Sequence, residues 1–175
     1  MRKLVRLLIG LVVLAAVATA VAAAIGMSLP EAHEATRSAR IDAPRDAIYA
    51  VLVNPEDYPR WRPDVKRVEL LDADMFLEEE PGDSIRFRIS ERQPPSRVVI
   101  VVDDDYVPFT GSWTFELTQE GRQGEATRVR ITERGTIPNP LFRAMARVMM
   151  RPTGSIEQYL KNLGRRFNQD VAIEP

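Results

Sequence analysis

The chain has 175 residues with 24 basic and 25 acidic side chains, so it lacks the basic excess of a nucleic-acid-binding protein. It contains no cysteine, which excludes disulfides, thiolate metal sites and a cysteine nucleophile. The single histidine, His33, argues against a histidine metal cluster. We therefore predict no metal, no cofactor and no nucleic-acid partner. Lysine accounts for only 3 of the 24 basic residues, a bias towards arginine that is typical of GC-rich bacterial genomes.

Residues 7–27 form an uncharged apolar run directly behind Arg2, Lys3 and Arg6. A helix of about 20 apolar residues spans the hydrocarbon core of a bilayer, and flanking basic residues favour the cytoplasmic side. We therefore predict that residues 1–27 are a single-pass inner-membrane anchor and that the rest of the chain is extracytoplasmic. The alternative is a cleaved signal peptide, because small residues recur between positions 18 and 24. The domain would then be periplasmic or secreted.

A polar linker at 28–34, which contains His33, precedes one predicted domain at 35–170 and a tail at 171–175. Apolar residues then alternate along a series of short segments, a pattern that predicts half-buried strands. The predicted elements are a strand at 35–41, short helices at 44–53 and 56–61, and strands at 65–71, 75–80, 85–90, 98–102, 113–118 and 127–137. Because most connections are short, we expect the seven strands to form an antiparallel sheet.

The end of the chain has helical apolar spacing over residues 140–168. Asn139 is suited to cap this helix and Pro140 to occupy its first turn. Pro152 and Gly154 interrupt the pattern, so we expect a kink or a break near them.

Three segments of the sequence resemble those of a known protein superfamily. They are residues 54–65 (NPEDYPRWRPDV), residues 108–117 (PFTGSWTFEL) and residues 127–143 (TRVRITERGTIPNPLFR). Together they resemble the START-like or SRPBCC superfamily, the polyketide cyclase/dehydrase and lipid transport family. The resemblance implies an α+β helix-grip fold, in which a curved seven-stranded antiparallel sheet wraps around a long C-terminal helix, with two short helices between strands 1 and 2. It leaves the function open, because one fold serves carriers, receptors and some enzymes.

The resemblance also implies a cavity between the sheet and the C-terminal helix. Apolar residues of the expected inner face, with a few polar groups, would line it. The candidate lining residues are Trp61, Phe87, Trp113, Phe115, Val129, Ile131, Glu133, Phe142, Met145 and Met149. The alternative for each apolar member is ordinary core packing. Trp61 in particular either closes the mouth of a cavity or caps the core under the two short helices.

Among the polar candidates, Glu133 has the strand parity of Val129 and Ile131 and is expected to point inside the grip. A carboxylate there needs a partner, and the alternative to a role in ligand binding is an ion pair with Arg143. Glu78 is a weaker candidate of the same kind. Arg60 and Arg62 are expected at the surface. The run of acids at 103–105 resembles a calcium ligand cluster, but it lacks the spacing of an EF-hand and is expected to be a solvated turn.

No motif for an activated nucleophile, a metal triad or a phosphate loop is present in the sequence. We therefore predict binding of a small hydrophobic or amphipathic molecule, such as a lipid, quinone or isoprenoid. One alternative is a cyclase or dehydratase using Glu133, Glu78, Tyr106 or Tyr159. Another is an interaction module in which the basic face of the C-terminal helix contacts a membrane or an acidic protein.

Overall fold

A computed structural model of the chain describes residues 2–121, 124–149 and 153–175. The helices are α1 (Arg2–Ser28), α2 (Arg45–Leu52), a 3-10 helix (Pro55–Arg60), α3 (Pro140–Met149) and α4 (Gly154–Arg166). The strands are β1 (Ala32–Ile41), β2 (Arg67–Leu70), β3 (Met75–Glu80), β4 (Asp83–Gln93), β5 (Arg97–Val102), β6 (Thr110–Glu120) and β7 (Ala126–Thr136). The order of elements confirms the predicted helix-grip sequence.

The seven strands form one antiparallel sheet in the order β1-β7-β6-β5-β4-β3-β2. The first strand thus returns to pair with the last, and this pairing brings the two ends of the domain together. A register shift between Ile89 and Glu91 of β4 marks a bulge, a feature that bends and twists a sheet. β1 begins at Ala32, so residues 32–34 lie in the sheet where the sequence analysis expected a linker.

The core lies on the inner face of the sheet and is filled mainly by α4. Alternate residues of the strands point inwards, as their period of two requires. Ile156, Leu160 and Leu163 of α4 pack with them and have no exposed surface. Burying each such side chain contributes roughly 1.5–3 kcal/mol.

The C-terminal helical region includes α3, which is described up to Met149, and α4, which begins at Gly154. The kink or break expected near Pro152 and Gly154 concerns residues 150–152, which lie outside the described part of the structure. Asn139 caps α3: its Oδ1 accepts hydrogen bonds from the backbone N–H groups of Leu141 (2.9 Å) and Phe142 (3.4 Å). The predicted start of this helix is confirmed.

α1 is long and apolar enough to cross a membrane, and signal sequences at an N-terminus share these properties. Its last turn docks against the first turn of α3. A Cβ atom at Gly26 would lie 1.7 Å from the carbonyl oxygen of Pro140, so only glycine permits this approach. Arg143 of α3 donates a 2.9 Å hydrogen bond from Nε to the carbonyl oxygen of Gly26.

The C-terminal tail closes over the free edge of the sheet. Ser38 of the edge strand β1 and Glu174 exchange two backbone hydrogen bonds of 2.9 and 2.8 Å, and the Glu174 carboxylate also pairs with Arg128. On the way the tail passes close to α4, where a Cβ at Gly164 would lie 2.7 Å from the side chain of Val171. The last residues are therefore bound to the domain.

Candidate functional site

A cavity of about 410 Å³ lies at the end of the sheet where α1 meets the domain. Its walls come from the start of β1, the start of β6, the end of β7, α3, the start of α4 and the residues that follow α1. The apolar part of the wall consists of Leu29, Pro30, Phe109, Trp113, Ile137 and Ala146. This volume falls within the range of small-molecule sites, about 300–1,000 Å³.

The polar centre of the cavity is the carboxylate of Glu133 on β7. Trp113 of β6 donates a hydrogen bond from Nε1 to Oε2 over 2.8 Å, and the hydroxyl of Ser155 donates to the same oxygen. Nε2 of His33 on β1 lies 3.0 Å from the other carboxylate oxygen. Three elements beside its own strand thus hold Glu133, which is only 13% exposed. A carboxylate held in one position by three partners can orient the polar end of a ligand.

The position of His33 depends on Gly135. A Cβ at Gly135 would lie 2.3 Å from the imidazole ring, so the ring lies over the backbone of β7 where a larger residue would exclude it. From the sequence, His33 was expected in a linker with no role in a site, whereas it lies in β1. His33 lies two residues before Ala35, and this spacing in a strand would have placed both side chains on the same face of β1.

Arg143, the expected partner of Glu133, has different contacts. It is 7% exposed and forms a 2.7 Å ion pair with Glu31 and a 3.3 Å hydrogen bond to the carbonyl oxygen of Ile137. The expectation of a Glu133–Arg143 ion pair was wrong, because the guanidinium is used to hold α3 against the end of α1 and β7.

The ten candidate lining residues separate into groups. Trp113 and Glu133 line the cavity. Two members lie on α3 and point outwards, Phe142 at 39% and Met145 at 49% exposed. The packed core holds the buried members Trp61, Phe115, Val129 and Ile131. The side chain of Met149 lies outside the described part of the structure.

Two of the aromatic candidates, Phe87 and Trp61, pack against other aromatic rings. The ring of Phe87 stacks on Phe76 at 5.6 Å and contacts Trp113 edge-on at 5.9 Å, so it supports the cavity wall from behind. Trp61 packs edge-on against Tyr58 and Tyr159 beneath the 3-10 helix, at 5.5 and 5.3 Å. Trp61 therefore caps the core there.

A second polar cluster lies between the 3-10 helix, β3 and α4. Arg62 donates hydrogen bonds to both carboxylate oxygens of Glu78, over 2.9 and 2.7 Å, and a third to Asp64 over 2.7 Å. Its guanidinium also lies over the rings of Tyr58 and Tyr159, at 5.4 and 5.2 Å. The expectation that Arg62 is a surface residue was wrong, since its side chain is only 11% exposed.

In this cluster, burial and the neighbouring charges shift the pKa values in opposite directions. Burial raises the pKa of the Glu78 carboxyl above its usual 4.5, although Arg62 acts to lower it. Burial alone would lower the pKa of Arg62, but the Glu78 carboxylate beside it raises that pKa. The pKa of Glu80 is also raised, chiefly by burial. Asp64, Glu78 and Glu80 thus all lie within 4.0 Å of the one guanidinium of Arg62.

Asp64, Glu78 and Glu80 are the only group of three potential metal ligands among the residues that the structure describes, with carboxylate oxygens within 4.8 Å of one another. Arg62 already provides positive charge at this group through its bonds to Glu78 and Asp64. We therefore describe the cluster as a buried ion pair with additional acidic neighbours.

The acidic run at 103–105 forms a solvated turn, as expected. Asp104 accepts hydrogen bonds from the backbone N–H groups of Tyr106 and Arg86, which lower the pKa of its carboxyl. Asp103 pairs with Arg88 over 2.9 Å. Tyr106 is 92% exposed.

The fold and the apolar cavity define a START-like, helix-grip domain of the type that binds hydrophobic ligands. The family model described as polyketide cyclase / dehydrase and lipid transport matches residues 32–168. The chain belongs to this family, which confirms the resemblance found in the sequence. A search of curated proteins finds no match.

Solved structures with the same fold come from several sources. A START superfamily protein from Mycobacterium smegmatis is 16% identical, with a TM-score of 0.61 and coverage of 77% of this chain and 97% of that one. Norcoclaurine synthase from Thalictrum flavum is 10% identical, with a TM-score of 0.64 and coverage of 78% and 94%. The di-domain ARO/CYC BexL is 12% identical, with a TM-score of 0.65 and coverage of 82% and 52%. At these identities the similarity shows the fold alone.

Replacing Arg62 by Met should destabilise the domain by about 3–5 kcal/mol, because it leaves Glu78 buried without its partner. The double variant R62M/E78Q should recover part of that loss, since it also removes the orphaned charge. Chemical denaturation followed by tryptophan fluorescence measures both. A double variant no more stable than R62M would show that the loss comes from packing against Tyr58 and Tyr159.

The stability contributed by Glu78 should depend on pH. Its pKa is higher in the folded state than its usual 4.5, so the folded protein holds this proton more tightly. The contribution is fully present below about pH 4.5 and is lost as the pH rises through the folded-state pKa. Relative to E78Q, the unsubstituted protein should therefore lose free energy of unfolding between acidic and neutral pH. A constant difference, or a gain, would contradict the raised pKa.

Proposed function

We propose that the chain is a membrane-tethered binding protein for a small hydrophobic or amphipathic molecule, such as a lipid, quinone or isoprenoid. The observation that carries the proposal is the cavity of about 410 Å³ beside the end of α1, with apolar walls and one well-supported carboxylate. Affinity would come mainly from burying apolar surface, at about 25 cal/mol per Å² before ordering costs. Glu133, with His33 and Ser155, would hold the polar end of the ligand.

The proposed tether is α1, retained as a single span with the domain on the extracytoplasmic side. Its sequence supports this orientation, since Arg2, Lys3 and Arg6 precede the apolar run. A ligand that resides in the membrane suits a cavity whose wall includes Leu29 and Pro30, directly after the span.

A second candidate function is enzymatic, a cyclase or dehydratase acting on a hydrophobic substrate. The observation in its favour is the contact between Glu133 and His33, two groups able to transfer a proton, on the wall of an apolar cavity. Mass spectrometry separates the two functions. A carrier would release its ligand unchanged after incubation, whereas an enzyme would release a product of altered mass whose formation stops in E133Q.

Filling the cavity should weaken binding. Ala146→Phe places an aromatic ring at the wall, so lipids or quinones that copurify with the full chain should bind about tenfold more weakly, equivalent to about 1.4 kcal/mol. Native mass spectrometry of the detergent-solubilised protein measures the bound fraction. The matched control is Ala47→Phe at an exposed position of α2, which should leave binding unchanged. Equal binding by A146F and unsubstituted protein would reject this cavity as the site.

The orientation can be tested with single cysteines, because the native chain has none. A membrane-impermeant maleimide should label Ala47→Cys in intact spheroplasts and label Lys3→Cys only after lysis. The reverse pattern would place the domain in the cytoplasm. A mature chain that has lost residue 3 would show that the N-terminal segment is a cleaved signal peptide.

A further inference from the structure

We propose that α3 lies in the lipid interface next to the end of α1, with its exposed apolar side chains in the bilayer. The proposal rests on the membrane tether described above and adds to it a second contact with the lipid. It identifies the partner of the apolar surface of α3 as the outer leaflet of the membrane that α1 spans.

The surface in question is a stripe along one side of α3. Leu141 is 40% exposed, Phe142 39%, Met145 49% and Val148 86%. At 100° per residue these four positions fall within an arc of about 120° on one side of the helix. The other side faces protein, since Arg143 and Ala144 are buried and Ala146 lines the cavity. A helix with one apolar face exposed and one face docked is suited to lie flat in an interface.

The position of α3 relative to α1 carries the argument. The contact of Gly26 with Pro140 and the bonds of Arg143 to Gly26 and Glu31 fix the first turn of α3 against the last turn of α1. α1 contains 27 residues and is therefore about 40 Å long, against about 30 Å for the hydrocarbon core. Its final turn, and α3 with it, therefore falls at the boundary between acyl chains and headgroups.

The loop between β5 and β6 emerges at the same end of the sheet. Thr110, the first residue of β6, pairs with Thr136, which also pairs with Ala32 close behind α1. Tyr106 in this loop is 92% exposed. Tyrosine is enriched where a protein meets the headgroups, because its ring is apolar and its hydroxyl is polar.

This arrangement gives the cavity a route to the membrane. Ala146 and Arg147 of α3 and Leu29 and Pro30 after α1 all belong to its wall. The cavity thus lies directly behind the lipid-facing helix, and a ligand can move between bilayer and cavity without crossing water.

The test uses the full chain in nanodiscs, with a polarity-sensitive fluorophore on a single cysteine and lipids brominated near the headgroup end of their acyl chains. Val148→Cys should show a blue-shifted emission that the brominated lipids quench strongly. Met145→Cys provides a second position on the same stripe. Ala47→Cys is the control. It lies on α2 beyond the far end of β1, about 30 Å away along the ten-residue strand, and should show neither effect.

Val12→Cys, in α1 and 68% exposed, reports on the tether itself and is read with lipids brominated deeper along their acyl chains. Quenching at positions 12 and 148 supports the proposal. Quenching at 12 with no effect at 148 or 145 overturns the interfacial helix and leaves the tether and the cavity intact. No quenching at position 12 overturns the membrane tether and, with it, the interfacial helix. A blue shift at 148 that brominated lipid does not quench also overturns the proposal, because it indicates that a second copy of the chain covers the stripe.

Discussion

The arrangement of the end of the domain that contacts α1 depends on Arg143. This buried guanidinium joins four parts of the chain: its own helix α3, the end of α1 at Gly26, the following segment at Glu31, and the end of β7 at Ile137. Of these parts, α3, Glu31 and Ile137 also line the cavity. A charge that is 7% exposed is stable only when it is paired and fully hydrogen-bonded, so Arg143 holds the elements in one relative position. The geometry of the cavity is thereby coupled to the position of α1.

The two polar clusters of the domain differ in ways that suit different roles. Around Arg62 the positive charge is surrounded by protein groups, and Glu78 is 3% exposed. Such a buried pair stabilises a particular packing of the 3-10 helix against β3. Around Glu133 the donors come from three separate elements and border on empty volume. The first cluster is completed within the protein, whereas the second has room for a further partner.

The fold could be predicted because its signals are local. The alternation of apolar and polar residues predicts the strands. Asn139 and Pro140 predict the start of α3, and the apolar run at residues 7–27 predicts α1. The site was harder, since strand parity assigns a residue to the inner face but does not separate a cavity from a packed core. Phe115, Val129 and Ile131 share the parity of Glu133 and are core residues. His33 meets Glu133 across 100 positions, and such a pairing has no local signal.

The bond between Glu174 and Ser38 has a consequence for how this protein behaves among its copies. An unpaired edge strand offers its backbone groups to any neighbouring chain, and β1 is such an edge. By pairing with Ser38, Glu174 covers part of that edge. Residues 171–175 thus limit edge-to-edge pairing between copies of the chain, and a change that displaces them would expose the edge strand.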